Sequence, residues 1–209
     1  FKSLHKLSPE DTPLIMLVLE NEHDFLAASA LAADSAGFKL KEIALSGDHQ
    51  TAQLILTNNL PSASAPTISQ RQTTAQAAIS HHLENRGEPT SYQVLHAAII
   101  AQLAKKNALG RVPEPNADLS VTELHKQIDP LFIDPGLLTR FGGGTTSVDT
   151  GLYWLKSKTS VTLSLNDRVE SIVEKAFQSM PTLNYQDIQN KIFNECKGLF
   201  TPGRELILA

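Results

Sequence analysis

Cysteine is nearly absent from this chain: Cys196 stands alone among 209 residues. One thiol excludes an intramolecular disulfide and any metal knuckle built from paired cysteines. No apolar run approaches the roughly eighteen residues that a membrane-crossing helix needs, so no span is expected. Positive charge is not in excess either. Lys and Arg number 18 against 22 Asp and Glu, a net charge of −4, which argues against a generally basic nucleic-acid coat. No basic stretch leads into an apolar core near Phe1, so no signal peptide is expected and the reading is cytoplasmic. The opening Phe1 and the closing Leu206-Ile207-Leu208-Ala209 read as cut ends, and a fragment of a longer protein is expected.

What is present suits a globular chain of one to two domains. Hydrophobic residues make up 41%, enough to build a core without metals or disulfides. Leu14 to Leu19 is a continuous apolar run, the pattern of a strand buried on both faces. Asp24 can cap a helix carrying Phe25, Leu26, Leu31 and Ala32 and ending at Gly37. Lys39–Leu45 and Thr51–Leu56 read as strands joined by the turn Ser46-Gly47-Asp48. A polar, proline-bearing stretch over 58–66 reads as a linker.

Beyond it the pattern turns helical. Helices are expected over Thr73–Asn85 and, capped by Ser91, as far as Lys105. Ser120 with Glu123 makes a capping-box pair opening a third. A Gly-rich wing is expected around 137–156, with Ser147–Leu155 as its strand. Asn166 or Asp167 caps a further helix, Asn184 caps the next, which Gly198 ends, and Thr201-Pro202 opens a last one. His82–Leu95 and Phe177–Ile188 resemble each other: helix, proline-bearing turn, then a Tyr-Gln helix start. That layout suits tandem helix-turn-helix or winged-helix units. Three regions follow: 1–60, 61–161 and 162–209, with net charges of −4, +1 and −1.

No catalytic constellation emerges. Phe141-Gly142-Gly143-Gly144-Thr145 lacks both the third glycine of a dinucleotide loop and the Lys-Ser/Thr of a P-loop, and reads as a wing tip. The adjacent rings of His81 and His82 diverge by about 100° on a helix. The other five histidines stand alone, so no metal is expected. Cys196 reads as inert, and Asp129 and Asp134 as loop and cap residues. No G-x-S-x-G elbow occurs. Lys126, Arg140, Lys156 and Lys158 are the candidate DNA contacts, because they could gather near the wing. Trp154 on the wing strand reads mainly as core, with base stacking as the alternative.

Four phrases carry a resemblance: 84–104 (ENRGEPTSYQVLHAAIIAQLA), 140–155 (RFGGGTTSVDTGLYWL), 165–177 (LNDRVESIVEKAF) and 197–207 (KGLFTPGRELI). They resemble the C-terminal extension of bacterial DNA methylases that methylate a base amine using S-adenosylmethionine. Residues 14–57 are similar to the closing part of the methylase domain, where a mostly parallel sheet ends in a reversed hairpin. The resemblance implies an α+β chain that opens with a terminal strand-helix-strand-strand piece of a Rossmann-like methyltransferase sheet; the internal repeat adds a mainly helical region with tandem winged-helix-like units, the second truncated. The family's Phe-x-Gly-x-Gly cofactor loop and its (Asp/Asn/Ser)-Pro-Pro-(Tyr/Phe) motif do not occur here, so no catalytic or cofactor residue carries over. The parent would use S-adenosylmethionine; this chain would bind no cofactor. Its expected partners are DNA, and a missing N-terminal methyltransferase part or another protein. The alternative is a winged-helix protein-interaction or dimerisation module with no DNA contact. A three-strand remnant with an open edge should pair with the helical region, dimerise or be poorly ordered.

Overall fold

The computed structural model describes residues 1–9, 11–19, 23–58, 67–109, 117–144, 147–157, 163–179 and 182–208. It is an α+β chain with two small antiparallel-paired, three-stranded sheets among those residues. After a short helix α1 (Lys2–Leu7) come β1 (Pro13–Leu19), α2 (His23–Ser35), β2 (Phe38–Leu45) and β3 (Thr51–Asn58). The strand order is β1-β3-β2 and β3 is antiparallel to both neighbours, so β1 and β2 run parallel. A bulge at Lys41, between Leu40 and Glu42, keeps Leu40 and Ile43 on the same buried face.

One face of this sheet is the core. Phe38, Leu40, Ile43 and Leu45 of β2 join Ala52, Leu54 and Leu56 of β3, and α2 and α4 (Tyr92–Lys105) pack against β2. The apolar run of β1 divides by parity. Val18 is buried and Leu14 and Met16 pack on the core, whereas Ile15, Leu17 and Leu19 are 60%, 62% and 69% exposed. Among the described residues, no strand pairs with the outer edge of β1. The helical region therefore covers one face of the sheet but not that edge.

Asn58, expected as the first linker residue, lies in β3 instead. Asn58 closes β3, is buried, and donates through Nδ2 to the carbonyls of His5 and Ser8 at 3.2 and 2.6 Å. Residues 59–66 lie outside the described residues. The next helix, α3 (Ile68–Arg86), starts well before Thr73, because Thr67 and Gln70 form a reciprocal capping box. β4 is only Thr90–Ser91. Ser91 does hold the N-cap position of α4, yet its hydroxyl makes no cap bond. Helix α5 (Ala117–Ile128) takes in Ser120 as an interior residue, so the expected capping box does not start it.

A single turn, α6 (Pro130–Ile133), leads into the hairpin of β5 (Leu138–Phe141) and β6 (Leu152–Leu155). The strand expected over 147–155 is thus shorter, and its partner β5 carried no strand signal. The second sheet has the order β4-β6-β5. One hydrophobic core runs from Val18 to Leu155, so regions 1–60 and 61–161 share it.

A separate small core of Leu165, Val169, Ile172, Ile192 and Cys196 belongs to α7 (Leu165–Ser179) and α8 (Tyr185–Glu195). Ser164 Oγ accepts from Asp167 N at 3.1 Å, so it caps α7 in place of Asn166 or Asp167. Asn184 caps α8 as expected, in a box with Asp187. Gly198 opens a 3₁₀ turn, Gly198–Phe200, and α9 (Arg204–Leu208) starts beyond Pro202. Among the described residues of 162–209 there is no strand. No helix among the described residues is long and apolar enough to cross a membrane.

Candidate nucleic-acid interface

The β5–β6 hairpin is held by its own arginine. Arg140 stands opposite Tyr153 across the β5–β6 pair, its guanidinium 5.6 Å from the ring centre. Its Nε donates to the Thr150 carbonyl at 2.8 Å, and its Nη2 reaches Thr150 Oγ1 at 2.7 Å and the carbonyls of Ser147 and Thr150. The Tyr153 hydroxyl donates to the Val148 carbonyl at 2.6 Å. Burial pushes that phenol up, against the lowering effect of Arg140. Its Nε and Nη2 donors are thus engaged in closing the loop, while the guanidinium keeps its charge.

Glycine makes this closure possible. Gly143 and Gly151 both have positive φ, +77° and +85°, and cross each other's strand ends closely. A Cβ on Gly143 would sit 2.7 Å from the Thr150 carbonyl, and one on Gly151 would sit 2.7 Å from the Gly142 oxygen. The Gly144 amide donates to Thr150 Oγ1 at 3.0 Å, so it serves the hairpin and not a phosphate. Residues 145–146 lie outside the described residues.

The other candidate cations divide three ways. Lys156 Nζ donates to the Pro135 carbonyl at 2.6 Å. Lys126 is exposed on α5, three residues from exposed Glu123. Lys158 lies outside the described residues. The four therefore do not form a described cationic stripe. Trp154 is half-buried and packs on the core opposite Thr139. Beside it Phe141 and Leu152, a cross-strand pair, are 50% and 46% exposed.

Helix α5 is also committed elsewhere. It packs against α2, and His125 Nδ1 lies 3.0 Å from Asp24 Oδ1. Asp129 accepts from the Tyr92 hydroxyl at 2.9 Å, and burial first, then that carboxylate, raises the Tyr92 phenol. Asp134 accepts from the Gly136 amide at 2.8 Å in its own turn. Asp134 thus serves its own turn, whereas Asp129 makes no side-chain cap bond and ties to α4 instead.

Among the described residues no three His, Cys, Asp or Glu side chains are placed to hold a metal. His81 is bonded to Asn85, while its neighbour His82 is buried against Phe200. Cys196 is buried, which pushes its thiol up. A cleft of about 400 Å³ lies between Ser46-Gly47-Asp48 and Gly203-Arg204-Glu205. Asp48 is engaged there by Ser46 Oγ and the Gln50 amide, which hold its carboxyl below the usual range.

What sequence reasoning missed is the clasp role of Arg140 and the meeting of Asp24, His96 and His125 at one place. The comparisons add no relative: no family model, no curated protein and no solved structure matches the chain.

Proposed function

We propose that this chain is the non-catalytic C-terminal part of a DNA methylase, whose parent moves a methyl group from S-adenosylmethionine to a DNA base amine. One observation carries the reading. β3 inserts antiparallel between β1 and β2, which run parallel and are linked by α2. That is how the methyltransferase sheet of the resembled family ends. A parallel α/β sheet needs cover on both faces. The unpaired β1 edge is where the catalytic half would continue the sheet, and the bare side chains Ile15, Leu17 and Leu19 lie on the face it would cover.

The second sheet supports a winged-helix reading of 61–161. A short strand after α3 pairs with the hairpin that follows α5, in the order β4-β6-β5. Because Arg140 and Lys156 donate to backbone carbonyls, the role favoured for this unit is completing and buttressing the fold. Exposed Phe141 and Leu152 favour a second reading, in which the wing hairpin docks a protein and not a duplex.

Cysteine labelling tests the main reading. In a Cys196→Ser background, Leu17→Cys should react with maleimide in this chain alone. In the polypeptide that also carries the catalytic half it should be protected, while Lys126→Cys reacts in both. Equal labelling of Leu17→Cys in the two proteins would reject the reading.

A further inference from the structure

Helices α2, α4 and α5 meet at three polar side chains. His125 Nδ1 of α5 lies 3.0 Å from Asp24 Oδ1 of α2, and its Nε2 lies 3.1 Å from His96 Nε2 of α4. The two imidazoles are tilted by 58° with centroids 5.1 Å apart. His96 is fully buried and stacks on Tyr92 at 5.6 Å. This juxtaposition lies outside the wing and plays no part in the function proposed above.

Proton counting limits what the arrangement can hold. A carboxylate facing Nδ1 of His125 requires a proton on that nitrogen. In the neutral pair the His125 Nε2 is then an acceptor, and His96 donates its Nε2 proton to it. One added proton can be accommodated: His125 becomes imidazolium, and His96 moves its proton to Nδ1 and accepts. A second cannot. Two N–H groups would then face each other across 3.1 Å, on adjacent cations, with one ring wholly out of water.

We propose that Asp24, His125 and His96 form a proton-controlled latch that seats α5 on α2 and α4, and that double protonation releases α5. Among the described residues, other ionisable groups come from the packed elements. α2 offers Asp24. α4 offers Tyr92, whose phenol senses Asp129, Asp149 and Asp24. α3 offers Arg71, bonded to Gln127 of α5, which also bonds Glu123. The sequence of α6, Pro-Leu-Phe-Ile, offers none. Asp24, in contact with His125, favours the first added proton. Two imidazolium rings whose Nε2–H groups face each other repel, so the release follows the second proton.

Amide hydrogen exchange on this chain, corrected for intrinsic rate, reads the latch directly. Protection of the amides over 121–128 should fall at least about tenfold between roughly pH 7.5 and pH 4.5, while β3 falls less over the span where histidines titrate. His125→Gln keeps a donor for Asp24 and an acceptor for His96, so protection of α5 should become nearly independent of pH. His96→Gln, which removes the second titrating ring, should do the same, and covers the case in which His125→Gln does not fold. His82→Leu, a buried histidine elsewhere, should leave the α5 loss intact. Flat protection of α5 in the wild type would overturn the latch, as would an unchanged fall in both glutamine variants.

Discussion

The imidazole of His82 on α3 lies flat against the ring of Phe200, with centroids 4.8 Å apart and planes 15° apart. The contact joins the helical region to the turn that follows α8. Burial, reinforced by Arg86 and then His81, lowers the His82 pKa to about 3. In the folded chain the ring stays neutral at pH values where an unfolded histidine takes a proton. Its folded pKa lies below its unfolded one, so unfolded chains bind more protons between the two values and stability falls as pH drops through that window. The contribution is full above about pH 6.5 and declines by up to roughly 1.4 kcal/mol per pH unit towards pH 3. Urea unfolding of His82→Leu across this range should show a shallower acid limb than the wild type.

Arg140→Ala should loosen the β5–β6 hairpin without changing DNA binding. The loss of the bonds to Thr150 and Ser147 costs on the order of 1 kcal/mol, read in thermal unfolding. Arg140→Lys should not restore it, because a single ammonium cannot reach the same set of acceptors. The slope of log affinity against log salt for a duplex should be unchanged in both. Lys126→Ala, whose side chain is exposed, should change it by about 1 at most.

Asn184→Ala removes an N-cap bond to the Asp187 amide at 2.9 Å, and Thr67→Ala removes one to the Gln70 amide at 3.2 Å. Each should cost about 1 kcal/mol. The first should show in exchange of α7 and α8 amides, which hold their own core, and the second in α3.

Leu54 is fully buried at the centre of β3, under helices on one face. Leu54→Ala should cost about 2–5 kcal/mol in denaturant unfolding. Leu17→Ala on the bare face of β1 should cost well under 1 kcal/mol in this chain.

These contrasts follow how far the sequence could be read. The apolar run 14–19 and the alternation on either side of Ser46-Gly47-Asp48 are local signals, and β1, β2 and β3 formed where they pointed. Asn184 with Asp187 is a local signal too, and it caps α8. β4 and β5 were not legible. Thr90–Ser91 is two residues long and reads as a helix cap, and Leu138–Phe141 is four residues with no periodicity to find. Their pairing with β6 exists only through tertiary contact. Ser120 misled because its Glu123 spacing fits a box, yet the helix had already begun at Ala117. Arg140, Asp24, His96 and His125 each look like isolated polar residues in sequence. Their roles depend on partners as far as 101 positions away, as between Asp24 and His125.

The most direct test of the account is methyl transfer from radiolabelled S-adenosylmethionine to duplex DNA. This chain alone should transfer nothing and give no calorimetric heat with the cofactor. The polypeptide that joins it to its catalytic half should transfer methyl groups, and Ile15→Asp with Leu17→Asp in that polypeptide should abolish transfer by burying charge on the β1 face that the catalytic half would cover. Cofactor binding or methyl transfer by this chain alone, or full activity in the doubly substituted polypeptide, would contradict it.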